Sequence, residues 1–244
     1  MTVPAAARTL DLIEAFARER RPMTVSALAK ATGMPVSSCH GLIKTLQDRG
    51  YLLEVAAQGG YYFTKALAHR ATEIGAYDPL PSWVVPALSA IRDRCNETVL
   101  LAKLVDSVAV YVEVLESARS VRYIAKVGDR RPLYASAVGK TLLASLPEDR
   151  RAAIIDSLRY VKRSTRTLAS KAAVISDLRK GLARGWFMTR GEYLEDVTAV
   201  AVPVMLGGEH FACGIAGPSS RMEGELAAHV KWINRFWRQP QVSA

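Results

Sequence analysis

TVSALAKATGMPVSSCHGLIKTLQDR, residues 24–49, reads as two short helices joined by a tight turn. Thr24 or Ser26 can cap the first helix, and Val25, Leu28, Ala29 and Ala31 are spaced for one buried face. Gly33 stands where that helix must end in a left-handed turn. Pro35 suits the first position of the next helix, since the N–H it lacks has no intrahelical acceptor there. The second helix runs to about Arg49. Leu42, Ile43 and Leu46 point inward together, which leaves Ser37, Ser38, His40, Gly41, Lys44 and Thr45 on or near the other face.

The next stretch, YLLEVAAQGGYYFT (51–64), alternates apolar and polar residues around Gln58-Gly59-Gly60, the pattern of a hairpin with a glycine turn. Helix, turn, helix and hairpin in that order make a winged helix–turn–helix. Such a module lays its second helix in the DNA major groove, N-terminal residues nearest the base edges. Ser37, Ser38 and His40 are small or hydrogen-bonding groups at that end. An ordinary helical hairpin packed into a larger core is the alternative; the hairpin behind it and the polar outer flank favour the DNA-binding module. Upstream, AAARTLDLIEAFAR (5–18) is amphipathic, with Leu10, Ile13, Phe16 and Ala17 on one side, and completes a three-helix core. Arg8 at its start can meet a phosphate or stay free on the surface.

The chain has 244 residues, half of them apolar, enough for a substantial core in one large domain or two ordinary ones. A net charge of +10 suits a polyanionic partner. The excess is denser at the front: residues 1–70 carry a net +4 and the remaining 174 a net +6. Three scattered cysteines argue against a disulfide framework. The most apolar long stretch, 98–115, is broken by Lys103 and Asp106 and is too polar to span a bilayer. These features predict a soluble cytoplasmic protein with no membrane partner.

Residues 65–77 read as a linker helix leaving the wing, and Asp78-Pro79-Leu80-Pro81 as a boundary. The expected domains are therefore 1–64, a linker at 65–80, and 81–244. In the last, a helix at 83–95 precedes a hairpin at 98–116 turning at Asp106-Ser107, a third strand at 121–127 and a loop at 128–134. Helices follow at 136–146, 147–158 and 171–184, the last ended by Gly185. Strands at each end of 186–206 and at 210–217 precede a closing helix at 221–238. This predicts an α+β domain with a largely antiparallel sheet.

Ala137-Val138-Gly139-Lys140-Thr141 contains GKT, but a phosphate loop needs a glycine where Tyr134 stands. What remains is a helix start whose free N–H groups at 137–139 can attract an anion such as a carboxylate. A plain helix capped by Ser136 is the equal alternative. His40, His69, His210 and His229 show no metal-ligand spacing with Cys39, Cys95 or Cys213, so neither a metal nor another cofactor is expected. Cys213 reads as a small core residue, and Glu192, Glu195 and Asp196 as a solvated acidic loop. No nucleophile stands beside a histidine, so the chain is not expected to be an enzyme.

Three stretches together resemble the IclR family of bacterial transcription regulators: residues 24–52, RPLYASAVGKTLLASLPEDR (131–150), and the run from 185–204 to FACGIAGPSSRM (211–222). The resemblance covers essentially the whole chain. It implies an N-terminal winged helix–turn–helix and a C-terminal mixed α/β effector domain with a GAF-like antiparallel sheet and flanking helices. It also implies dimers, often paired into tetramers, that bind double-stranded operator DNA as repressor or activator and respond to a small organic acid. Neighbouring catabolic operons are frequent targets of such regulators.

Carried over residue by residue, Ser37, Ser38, His40, Lys44 and Thr45 fall on the recognition helix. Thr24 or Ser26, with Gly59 and Gly60 of the wing, fall on backbone-contacting positions. Relatives often have arginine where this chain has Gly41, and an arginine there would read guanine or a phosphate. Cys39 replaces the usual alanine or valine. The effector of related proteins lies against the helix start that is here Ala137-Val138, and meets positions matching Thr189, Val197, Ala199, Gly214 and Ala216. Gly214 and Ala216 stand where some relatives have hydroxyl groups, and Thr189 where some have a carboxylate. The pocket is therefore expected to be less polar than one for a two-carbon acid and to take a larger, aromatic acid, lined also by Tyr134, Tyr123 and Met188. The competing functions are a small-acid-modifying enzyme with an accessory DNA-binding domain, and an architectural DNA-binding protein without a ligand.

Overall fold

The computed structural model describes residues 3–55, 59–77 and 80–237. The chain divides into two compact units, Met1–Pro79 and Leu80–Ala244. The expected turn residue Gln58, the boundary residues Asp78 and Pro79, and residue 238 of the expected closing helix lie outside the described residues.

The first unit contains α1 (Pro4–Glu19), α2 (Val25–Thr32), α3 (Val36–Asp48), β1 (Leu52–Val55), β2 (Gly60–Phe63) and α4 (Lys65–Gly75). Thr24, not Ser26, caps α2: its hydroxyl accepts from the Ala27 N–H at 3.2 Å. Gly33 closes α2 at φ +69°. Pro35 stands one place earlier than expected, as the residue preceding α3. The core joins Leu12, Ala15 and Phe16 of α1 to Leu28 and Ala29 of α2 and to Cys39 and Ile43 of α3. The apolar face of α1 is thus rotated from the expected one, and Leu10 is 60% exposed. Leu12, Ala15 and Phe16 form their own i, i+3, i+4 row, which the mixed apolar pattern of this helix concealed. Ala31 is also exposed, and Cys39 fills the core instead.

β1 and β2 pair antiparallel from Leu52↔Phe63 to Val55↔Gly60. A bridge between Met23 and Tyr61 lays the segment ahead of α2 against this wing. Gly60 is required there, since a Cβ on it would fall 2.7 Å from the Met23 carbonyl carbon. The wing runs into α4, capped by Thr64, none of whose residues is buried.

The second unit contains α5 (Val84–Cys95), β3 (Thr98–Val105), β4 (Val108–Leu115), β5 (Arg130–Pro132), α6 (Ala137–Ala144) and α7 (Glu148–Ser157). It continues with α8 (Lys171–Arg184), β6 (Phe187–Arg190), β7 (Val197–Leu206), β8 (Glu209–Pro218), α9 (Ser219–Met222) and α10 (Leu226–Trp237). The six strands form one antiparallel sheet in the order β5-β4-β3-β8-β7-β6. Alternation along the strands splits the core in two. Val99, Leu101, Val202, Val204, Cys213 and Ile215 pack with Val84, Leu88 and Ile91 of α5 and Val230 and Ile233 of α10. Leu100, Ala102, Ala201, Ala212 and Ala216 face Val138 and Leu142 of α6 and Val174 and Leu178 of α8. Cys213 is the core residue its strand position predicts, and burial pushes its thiol up to about 12.

One expected strand is displaced. Residues 121–127 alternate, with Tyr123 and Ala125 inward and Val121, Ile124 and Val127 exposed, yet they form no ladder. Gly128, at φ +88°, turns the chain back onto β4 through its N–H to the Tyr111 carbonyl, and pairing begins only with Arg130. Strand β5 therefore lies where a loop was expected. The expected helix at 221–238 is likewise two, α9 and α10, on either side of Gly224.

His229 on α10 is buried and its Nδ1 has no hydrogen-bond partner. Burial lowers its pKa, partly opposed by Glu225 and Glu97. The folded state therefore disfavours the imidazolium, and stability present above the unfolded pKa is lost as pH falls below it toward the folded one. Denaturant midpoints of wild type should decline across that mildly acidic window, and His229→Gln should flatten the decline. Equal slopes in the two proteins would exclude His229 as its source.

Candidate nucleic-acid interface and ligand cavity

Helix α3 presents Ser37, His40, Gly41, Lys44 and Thr45 to solvent along one flank, while Cys39 and Ile43 anchor the opposite side. Ser38 is half-buried, and its hydroxyl accepts from Arg8 Nη1 at 3.4 Å. Arg8 of α1 is thereby placed beside the first turn of α3. The Thr45 hydroxyl donates to the Gly41 carbonyl and leaves the polar row intact. Thr24, Ser26 and Gly59 are exposed near the helix starts and the wing tip, whereas Gly60 is buried against Met23. Gly60 shapes the wing by close packing and presents no open surface.

In the second unit a cavity of about 440 Å³, its mouth included, opens between the sheet and the start of α6. Seven of the residues expected around an effector line it: Ala137, Val138, Thr189, Val197, Ala199, Gly214 and Ala216. They converge because β6, β7 and β8 are neighbours, with Thr189↔Ala199 and Ala199↔Ala216 in register. Gly214 is needed for the cavity's shape, since a Cβ there would lie 2.9 Å from a methyl of Val138. Tyr123 lines the cavity too.

Tyr134 and Met188 stand elsewhere. The Tyr134 hydroxyl donates to the Val161 carbonyl and accepts from the Val161 N–H, and its ring packs on Tyr160, so it braces the loop after α7. Met188 lies between Phe187 and Thr189 on β6, so strand alternation turns it to the opposite face, against the α5–α10 core.

The structure adds Leu100, Tyr111, Arg131, Tyr193 and Leu194 to the wall. The sequence pattern reads 128–134 as a loop and so gives no sign that Arg131 faces inward. As a strand, Arg130-Arg131-Pro132 alternates, and the exposed Arg130 implies an inward Arg131. The pocket's polarity is thus not lost with Gly214 and Ala216 but moved to Tyr111, Tyr123 and Arg131.

At the start of α6 the Ser136 hydroxyl accepts from the Gly139 N–H at 3.1 Å and donates to the Pro132 carbonyl. The N–H groups of Ala137 and Val138, the first two of the helix, have no intrahelical acceptor. Thr189 brings a buried hydroxyl. Among the described residues no aspartate or glutamate lines the cavity. The wall is therefore apolar with hydrogen-bond donors set into it, which suits an anion with a hydrophobic body.

Lys140, the lysine of the GKT run, is turned into the core as an ion-pair partner. It is fully buried, with its ammonium 2.8 Å from Glu192 Oε1, 2.7 Å from Asp177 Oδ2 and 3.3 Å from the Met188 carbonyl. Glu192 is accordingly not the solvated residue expected of its loop; burial raises its pKa and Lys140 opposes the rise. Among the described residues no group of histidines, cysteines and acids is arranged to hold a metal ion. None of the helices among them is long and apolar enough to cross a membrane.

A winged helix–turn–helix unit followed by a sheet unit with its own cavity defines a DNA-binding transcriptional regulator with an effector domain. The family profile described as "IclR helix-turn-helix domain" matches residues 5–55, and that described as "Bacterial transcriptional regulator IclR C-terminal" matches residues 79–237. The chain belongs to the IclR family of bacterial transcriptional regulators. It is 28% identical over 197 residues to the HTH-type transcriptional regulator XynR of Escherichia coli K12, covering 81% of this chain and 78% of XynR. The fold matches that of Thermotoga maritima IclR with a TM-score of 0.78 at 19% identity, over 95% of each chain. It also matches an IclR homologue of Microbacterium hydrocarbonoxydans, solved in complex with 4-hydroxybenzoate, with a TM-score of 0.70 at 22% identity over 96% of this chain and 99% of that one.

Proposed function

We propose that this chain is a ligand-responsive regulator of a catabolic operon, without enzymatic activity, whose effector is a small aromatic acid. The observation that carries the effector class is the composition of the cavity wall: apolar residues, inward hydrogen-bond donors and no carboxylate. Crystallisation of the Microbacterium homologue with 4-hydroxybenzoate supports it. In this reading the carboxylate sits at the N–H groups of Ala137 and Val138, where the helix dipole favours negative charge. The ring lies against Val197, Ala199, Gly214 and Ala216, beside Thr189.

The DNA contacts are assigned to Ser37, Ser38, His40, Lys44 and Thr45 for base edges and phosphates, and to Thr24, Ser26 and Gly59 of the wing for the backbone, with Gly60 shaping the wing from behind. A cytoplasmic homodimer, paired into a tetramer on longer operators, sets two recognition helices on half-sites about one helical turn apart. Residues 1–64 form the DNA-binding domain, 65–80 the linker and 81–244 the effector-binding and oligomerisation domain. Ligand changes operator affinity only by binding two arrangements of the protein unequally.

Calorimetric titration with a panel of acids tests the effector class, alongside gel shifts on the upstream DNA. Benzoate-type acids should bind at least tenfold tighter than glyoxylate or pyruvate and should alter the shift. Tight binding of only the two- and three-carbon acids would overturn the aromatic class. Turnover of any bound acid would overturn the regulator in favour of an enzyme.

A further inference from the structure

We infer that Tyr111, Tyr123 and Arg131 form a second recognition point in the cavity, selecting an aromatic acid that carries a ring hydroxyl in addition to its carboxylate. The inference rests on the effector reading of that cavity. It comes from counting protons. The phenol oxygens of Tyr111 and Tyr123 lie 3.3 Å apart, and both side chains are buried, at 3% and 7% exposure. Arg131 Nε donates to the Tyr123 oxygen at 3.1 Å. Two phenolic protons remain, and only one fits between the two oxygens. Whichever tyrosine supplies it, the other O–H has no acceptor among the described residues.

Arg131 adds to the surplus. Its Nη1 donates to the Arg130 carbonyl and its Nη2 to Asp129, so with Nε three of the guanidinium's five N–H groups are taken. A buried donor left without a partner is costly, and an oxygen on the ligand relieves that cost. Asp129 already neutralises Arg131 at 2.9 Å, so a neutral oxygen fits better than a second carboxylate. A hydroxyl does so best: it accepts the spare O–H and returns its own proton to a phenol lone pair. The point is also rigid. The guanidinium lies 5.0 Å from the Tyr111 ring centre and 5.1 Å from that of Tyr193, flanked by both rings. Burial and the neighbouring Tyr123 keep the Tyr111 phenol protonated, hence a donor.

The test is calorimetric titration of the full chain with benzoate, 3- and 4-hydroxybenzoate, 4-methylbenzoate and terephthalate. At least one hydroxybenzoate should bind tenfold or more tighter than both benzoate and 4-methylbenzoate, with terephthalate weaker than either hydroxy acid. In Tyr111→Phe/Tyr123→Phe, which removes both phenol protons, that preference should shrink to within threefold. Equal binding of benzoate and the hydroxybenzoates by wild type, or preference for terephthalate, would overturn the second recognition point while leaving the aromatic-acid effector in place. A preference that survives the double phenylalanine variant would overturn it as well. Failure of every aromatic acid to bind, with glyoxylate or pyruvate bound instead, would overturn the effector class and this inference with it.

Discussion

Lys140→Met should cost the effector domain about 3–5 kcal/mol, because it leaves Glu192 and Asp177 facing each other without their shared cation. For a domain of this size that lowers the unfolding midpoint by roughly 10 °C or more. The loss should reach the ligand. The Glu192 loop carries Tyr193 and Leu194 onto the cavity wall and is held from its other side by Ser164, which donates to the Gly191 carbonyl, and Thr167, which donates to the Glu192 carbonyl. Without Lys140 the acid should dissociate faster. Differential scanning calorimetry and stopped-flow release measure the two effects. Lys140→Met/Glu192→Leu, which removes the stranded carboxylate as well, should recover much of the stability but not the slow release. A midpoint for Lys140→Met within 2 °C of wild type would show that the buried cation is dispensable.

Ser37→Glu should reduce operator affinity at least a hundredfold with no loss of stability. Ser37 is exposed in the first turn of α3, where a carboxylate complements the helix dipole and helps folding by about 0.3–1 kcal/mol. On the proposed dimeric binding mode the same charge meets phosphates and base edges in two half-sites, each comparable to a mismatched base pair at about 1–3 kcal/mol. Fluorescence anisotropy at fixed salt, paired with thermal denaturation, separates the effects. Wild-type affinity in this variant would mean that α3 is not the reading helix.

The DNA-binding unit was legible because its punctuation is local: Gly33 must end one helix, Pro35 marks the start of the next to within one residue, and the glycines that follow must turn a hairpin. The orientation of α1 was less so, since Leu10 and Leu12 are equally apolar and only packing against Leu28 and Ile43 chooses between them. In the effector unit the antiparallel character of the sheet and seven cavity residues were foreseeable from the family resemblance. Arg131 and Tyr111 were not, because their convergence depends on β5 pairing with β4, and that depends on the turn at Gly128 rather than on alternation in 121–127. The pairing of Lys140 with Glu192, 52 residues apart, leaves no local trace at all.

Gly41 sits exposed in the middle of α3, and nothing lies within 4 Å of where its Cβ would be. The reading face thus has a bare notch flanked by His40 and Lys44. A Cβ can be added there without displacing a neighbour, and Gly41→Ala strengthens the helix by up to about 1 kcal/mol. On the proposed assignment of α3 as the reading helix, one codon at position 41 retargets sequence preference without a compensating change in the core, so two copies of the gene would part ways in the promoters they govern while keeping one sensor domain.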